Sequence, residues 1–153
     1  MDLILWRHAE AIELPEDGND MDRYLTPKGE RQAVRMSAWL DRVLPQGTRI
    51  FSSPATRCEQ TVLALGRRYK LREELSPNGQ PDEVLALTQW PMAKSAVLVV
   101  GHQPYLGQVV AKLFEMKSSD CSIKKGSVWW IKARVRNEQT QTTLHAVQLA
   151  ELL

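Results

Sequence analysis

Leu3-Ile4-Leu5-Trp6-Arg7-His8 is the stretch on which the reading of this chain turns. Its four apolar residues predict a buried strand over roughly residues 2 to 8. The carboxyl end of that strand delivers a guanidinium and an imidazole together. Open α/β sheets bind their ligands just beyond the carboxyl ends of their strands. Arginine presents a fixed fork of donors that fits phosphate oxygens, and histidine is a nucleophile able to carry a phosphoryl group. Taken alone the dipeptide is a weak signal, because arginine and histidine end strands for ordinary reasons. Its weight comes from the company it keeps further along the chain.

The same local design recurs twice more: a strand, a few polar residues, then a proline. Arg49-Ile50-Phe51 leads into Ser52-Ser53-Pro54, and Ala96-Val97-Leu98-Val99-Val100 into Gly101-His102-Gln103-Pro104. The last strand is apolar on both faces, as expected in the middle of a parallel sheet covered by helices on both sides. Thr26-Pro27, Ser53-Pro54 and Gln103-Pro104 each offer a polar cap followed by proline at the first helical position. Helices are predicted over about 27–43, 54–69 and 104–115. Helical spacing puts Met36, Trp39, Leu40, Val43 and Leu44 in the core from the first of these. Cys58, Val62, Leu65 and Tyr69 do so from the second, and Leu106, Val109, Val110, Leu113 and Phe114 from the third.

Residues 10–26 form a long polar loop containing Gly18-Asn19. Residues 74–95 are irregular, with a short helical stretch at 82–90. Long loops in a compact domain are commonly functional. A carboxyl-terminal hairpin is read from the alternation at 127–135 and 143–149 around Asn137-Glu138.

The chain's 153 residues suffice for one domain, taken as 1–153, with a real core. A hydrophobic content of 43% and a charged content of 25% are ordinary for a globular protein. The net charge of +2 and the lack of a basic, aromatic-interleaved stripe argue against nucleic acid. No apolar run is long enough to span a bilayer, and Asp2 with the break at Arg7 does not match a secretory signal. Cys58 and Cys121 read as reduced thiols, so the expected location is the cytoplasm, with no membrane partner.

Three strand ends converge on one rim in this reading. They bring Arg7 and His8, then Arg57 from the first turn after the second strand, then His102. Side chains near a helix start lean back toward its amino end, which aims Arg57 at the strand tips. Two arginines, two histidines and helix amino termini make a pocket for a dianionic phosphate. Each residue has a blander reading, Arg57 as a surface arginine and His102 as a cap. A two-histidine metal site lacks a neighbouring carboxylate or thiolate and faces two cations. His145, in an alternating strand, has no expected chemical role.

Leu5-Trp6-Arg7-His8-Ala9-Glu10, Leu25-Thr26-Pro27-Lys28-Gly29, Ser52-Ser53-Pro54-Ala55-Thr56-Arg57-Cys58-Glu59-Gln60-Thr61 and Val99-Val100-Gly101-His102, in that order, resemble the histidine phosphatase (phosphoglycerate mutase-like) superfamily. The short length and the Leu-Thr-Pro and Gly-His-Gln-Pro segments are most similar to the small SixA-type phosphohistidine phosphatases. The resemblance covers the chain to about residue 110. It implies a minimal three-layer α/β/α sandwich around a mainly parallel sheet. It also implies that His8 is a nucleophile, transiently phosphorylated, with Arg7, Arg57 and His102 binding the phosphoryl oxygens, and with no metal or other cofactor. Arg23 is a weaker candidate for the same pocket.

Two departures refine this. Alanine stands at position 9 where the family hallmark has glycine, placing a methyl group near the phosphate. The position after the second histidine, aspartate in one branch, is Gln103, and the acids Glu73, Glu74, Asp82 and Glu83 sit in no recognisable motif. Alcohol phosphates need a proton donor for the leaving alkoxide, whereas an imidazole can be protonated before cleavage. The expected activity is therefore removal of phosphate from histidine on a partner protein, which the resemblance implies is either a histidine phosphotransfer domain or a phosphocarrier. A phosphatase for small esters, using one of those acids or an acid of the 10–22 loop, is the alternative; a phosphate-binding module without turnover is the third.

Overall fold

Every residue of Val97–Gly101 is buried, and this strand lies near the middle of a six-stranded sheet. The computed structural model describes residues 1–119 and 121–153. In chain order the strands are β1 (Asp2–Arg7), β2 (Arg49–Ser52), β3 (Lys70–Leu71), β4 (Val97–Gly101), β5 (Val128–Arg136) and β6 (Gln139–Gln148). The helices are α1 (Pro27–Val43), α2 (Thr56–Leu63), α3 (Pro81–Leu87) and α4 (Tyr105–Leu113), with short 3-10 turns at Asp20–Asp22, Glu73–Leu75 and Ala150–Leu152. The sheet order is β3-β2-β4-β1-β5-β6. The first four strands pair in parallel, while β5 and β6 add an antiparallel margin. The sheet is thus mainly parallel, as read from the apolar strands.

Period-two alternation assigns the two faces. Ile4, Trp6, Ile50, Leu98, Val100, Val128 and Trp130 pack with Met36, Leu40, Cys58 and Val62, from α1 and α2. Leu3, Leu5, Phe51, Val97, Val99 and Ile131 pack with Val84, Tyr105, Leu106, Val109 and Val110, from α3 and α4. Helices therefore cover both faces of one sheet, giving three layers.

α1 runs over the expected 27–43, whereas the other helices are shorter than the sequence predicts. α2 stops at Leu63 because the chain reverses at Gly66, whose φ of +68° suits a residue without a side chain. Leu65 still reaches the core, and Tyr69, beyond the helix, packs half-buried against it, its hydroxyl donating to the Glu59 carboxylate at 2.8 Å. α4 and α3 are trimmed likewise, and Val43, expected inside, is exposed on the outer side of α1. Proline opens α1 and α3 as the rule predicts. Before α2 the Ser53 hydroxyl accepts from the Ala55 amide instead, and Pro104 is itself the cap of α4. The hairpin forms where expected, with β6 starting earlier, at Gln139.

Candidate active site

β1, β2 and β4 end level with one another, so their next residues share one rim. Arg7 pairs with Gly101 and Ser52 with Val100; the His8 amide donates to the Gly101 carbonyl and the Ser53 amide to the Val100 carbonyl. Tyr105 packs so tightly under Gly101 that a Cβ there would lie 2.0 Å from its hydroxyl oxygen. Glycine is therefore required before His102. The tyrosine hydroxyl in turn donates to the Leu75 carbonyl.

The loop after β1 is tied to α1 and α2. The Ala9 amide donates to Thr61 Oγ1, which donates to the Arg57 carbonyl, coupling the histidine strand to the arginine helix. Thr26 caps α1 and also donates to the Glu10 carboxylate, while Gly29 approaches the Glu10 carbonyl where a Cβ would lie 2.0 Å away. This close approach accounts for Leu-Thr-Pro-Lys-Gly. The Ala9 methyl packs with Leu25 and Ala33, so it fills an apolar niche and not the phosphate pocket, contrary to expectation.

The residues predicted for the site do meet. His8, Arg57 and His102 are 6%, 4% and 2% exposed, and the two imidazole centroids lie 5.3 Å apart. His8 Nδ1 is 2.7 Å from the Ala9 carbonyl oxygen, which can only accept. The assigned tautomer therefore carries its proton on Nδ1 and leaves the Nε2 lone pair free. Burial, opposed by the Ala9 carbonyl and reinforced by Arg57, Arg7 and Arg23, holds the His8 pKa down to about 3. Burial, then the neighbouring His8 and Arg57, hold that of His102 down to about 2. Both rings are neutral near pH 7.

Arg57 Nη2 lies 3.3 Å from His102 Nδ1, which must accept, and His102 Nε2 then donates to Ser53 Oγ at 2.8 Å. Cys58 Sγ is 3.4 Å from the same nitrogen; burial pushes its thiol up to about 12, so it is an inert wall. Arg7 donates from Nη1 to the Ile123 carbonyl at 2.7 Å. Burial and then the charge of Arg57 pull its pKa below the usual arginine range. The Nε atoms of Arg7 and Arg57 are buried without a partner. Two like charges held together, each with an unused buried donor, can receive an anion.

Arg23 stands at the edge of this group, donating to the Ile12 carbonyl and, at 3.1 Å, to Asp20 Oδ1. Asp20 is the residue that sequence reasoning did not single out. Its Oδ2 accepts from Arg57 Nη2 at 3.0 Å and its carbonyl from Arg57 Nη1 at 2.8 Å. Partial burial raises the Asp20 pKa, but the bonds from Arg23 and Arg57 outweigh this and hold it below the usual range. Nothing local to the 10–26 loop distinguishes it from its acidic neighbours; its pairing is tertiary.

Gln103 points away from catalysis: Oε1 accepts from the Gly107 amide and Nε2 donates to the Cys121 carbonyl. Glu73, Glu74 and Asp82 bond Ser76, Arg72 and Lys112. His145 lies edge-on to Trp130 on the hairpin, outside the rim. Among the described residues, no three His, Cys, Asp or Glu side chains are grouped to hold a metal, and no helix is long and apolar enough to cross a membrane. Beside Arg7 a cleft of about 360 Å³ opens, lined by Lys28, Gln32, Lys124 and Lys125 among others.

The family model of the histidine phosphatase superfamily, branch 1, matches residues 3–78, a span holding Arg7, His8, Arg23 and Arg57 but not His102. The phosphohistidine phosphatase SixA of Escherichia coli is 31% identical over 121 residues, covering 74% of each chain. Among solved structures, a protein histidine phosphatase SixA complexed with tungstate superposes with a TM-score of 0.76 at 24% identity, covering 99% of both chains. A phosphoserine phosphatase mutant of Entamoeba histolytica with bound phosphoserine has the same fold, with a TM-score of 0.73 at 15% identity, over 99% of this chain and 98% of that one.

Proposed function

This chain belongs to the histidine phosphatase superfamily and is a phosphatase, and we propose that its substrate is phosphohistidine on a partner protein. One observation carries the proposal: a neutral His8 whose Nδ1 is held by the Ala9 carbonyl and whose Nε2 is free, against buried guanidinium donors.

In this mechanism His8 Nε2 attacks phosphorus, the bond to the partner's imidazole nitrogen breaks, and the departing ring leaves neutral once protonated. Arg7 and Arg57 bind the phosphoryl oxygens and stabilise their charge as the group transfers, while His102, expected to join them, accepts from Arg57 at Nδ1 and donates to Ser53 from Nε2, and so steadies the Arg57 guanidinium beside them. Water then attacks the phosphorus on His8, the P–N bond breaks, and orthophosphate departs. Arg23 borders the same anion site through Asp20. No step calls for a metal or other cofactor, since the cationic side chains carry the charge stabilisation.

The choice of phosphohistidine rests on the missing proton donor. Gln103 is committed to the Gly107 amide at the start of α4 and to the Cys121 carbonyl, and Glu73, Glu74 and Asp82 are bonded to Ser76, Arg72 and Lys112. A protein substrate is supported by the cleft beside Arg7, where Lys28, Lys124 and Lys125 stand with Glu10 and Glu151, the last paired with Lys124, a mixed-charge surface suited to a polypeptide. Histidine phosphotransfer domains and phosphocarriers, met in the cytoplasm, are the partners this reading names.

Small phosphate esters are a second reading, favoured by one observation, the presence of Asp20 on the rim. An acid held ionised by two arginines is poorly suited to donate a proton near pH 7. H8A is expected to abolish both turnover and the trapped phosphoenzyme on a phosphohistidine protein, with wild-type activity unchanged by chelators. Turnover surviving H8A would overturn the mechanism. Faster hydrolysis of a panel of small esters than of the phosphoprotein would favour the second reading.

A further inference from the structure

We propose that the Asp20 carboxylate is an internal competitor for the phosphate fork of Arg57, which any entering phosphoryl group must displace. Two of the three donor nitrogens of Arg57 are already engaged by this one residue. Nη1 is taken by the Asp20 backbone carbonyl, Nη2 by the Asp20 carboxylate, and Nε by nothing. The other carboxylate oxygen accepts from Arg23. The side chain thus bridges two guanidinium groups as two phosphoryl oxygens would.

A guanidinium binds an oxyanion through two adjacent N–H groups. The carbonyl on Nη1 cannot leave without unwinding the turn at Asp20–Asp22, which Asn19 caps through the Met21 amide. The phosphoryl group is left with Nε and Nη2. Nε is idle, and Nη2 shares its two hydrogens between Asp20 Oδ2 and His102 Nδ1, so the contest with Asp20 is for one hydrogen of Nη2. Asp20 can concede it by side-chain rotation, since its carboxylate is 42% exposed and its backbone stays anchored. Once displaced, the carboxylate remains a negative charge beside a dianion.

The consequence is selective. Free orthophosphate has only the pocket to bind, so displacing Asp20 weakens it directly. A phosphoryl group carried on a larger molecule has contacts elsewhere whose binding energy can offset the displacement. Asp20 therefore favours product departure. This inference rests on the pocket being a phosphoryl site, whatever molecule carries the group.

The test is calorimetric titration of orthophosphate into the wild-type protein, D20N, D22N and R57A. Binding should be lost in R57A and should tighten roughly three- to tenfold in D20N, the scale of one charge-assisted hydrogen bond at a partly exposed group. D22N removes the same charge from an exposed neighbour in the same turn and should change affinity less than twofold. Unchanged or weaker binding in D20N would overturn the proposal, as would an equal gain in D22N, which would reveal a general field effect. A D20N protein that does not fold would mark Asp20 as a strut and also overturn it. Binding that survives R57A would sink the reading of the pocket along with it. Binding lost in R57A yet not tightened in D20N would sink this proposal alone.

Discussion

The rim of the sheet and the β5–β6 hairpin answer opposite demands. In the hairpin, ladder pairs run from Val128–Gln148 to Arg136–Gln139 with one irregularity at Trp130/Ile131. Asn137 and Glu138 both take positive φ, as the tight turn that matches strand twist requires. Its histidine is exposed and rests against Trp130. At the rim, two histidines and an arginine are buried with like charges close by, and two guanidinium nitrogens have no partner. Local rules that the hairpin obeys are broken at the rim, which is where a functional site is expected to break them. A buried donor without an acceptor costs stability until an anion arrives. The difference marks the rim as built for a ligand and the hairpin for the fold.

That contrast can be broken by removing one arginine from each region. R57A should lower kcat roughly 10²- to 10³-fold, the scale seen when one group that stabilises transition-state charge is lost. R134A, at an exposed position of strand β5, should leave turnover unchanged in the same assay. Comparable losses in both would mean that activity depends on overall stability and not on the rim.

Acid titration sharpens the same comparison. A histidine whose pKa is depressed in the folded state binds its proton more readily when unfolded. Between about pH 3 and 6.5 the unfolded chain therefore takes up protons that folded His8 and His102 refuse. Stability should fall as pH drops through that window, by at most about 1.4 kcal/mol per pH unit for each ring. Urea midpoints measured from pH 7 to pH 4 should show this slope flattened in a protein carrying H8A and H102A. H145A removes the hairpin's histidine instead. The same variant should cost no more than about 1 kcal/mol, the worth of one aromatic edge contact, with activity intact.

Much of the architecture is legible in the sequence. Leu3 to Trp6 and Val97 to Val100 are apolar at every position, so strands buried on both faces and a layered α/β fold come directly from them. Arg7, His8, Arg57 and His102 each stand at or a few residues past a strand end, and the shared direction of parallel strands brings them to one rim. Thr26-Pro27 marks the start of α1 because capping is local chemistry. Helix ends are less legible, since α2 yields to a reversal at Gly66 while its apolar spacing runs on to Tyr69.

By itself, then, the sequence determined the layers, the strand tips and which cations gather there, because periodicity and chain direction are local properties that add up without ambiguity. Only the tertiary structure decided that the Ala9 methyl turns toward Leu25 and Ala33, that Gln103 also holds the Cys121 carbonyl, and that Asp20 lies across Arg57 and Arg23. Those outcomes depend on contacts that no local pattern encodes. Asp20 reaches Arg57 across 37 positions of chain, and no spacing rule distinguishes it from the other acids in its loop. What a side chain meets is set by packing, and packing exists only after the chain has folded.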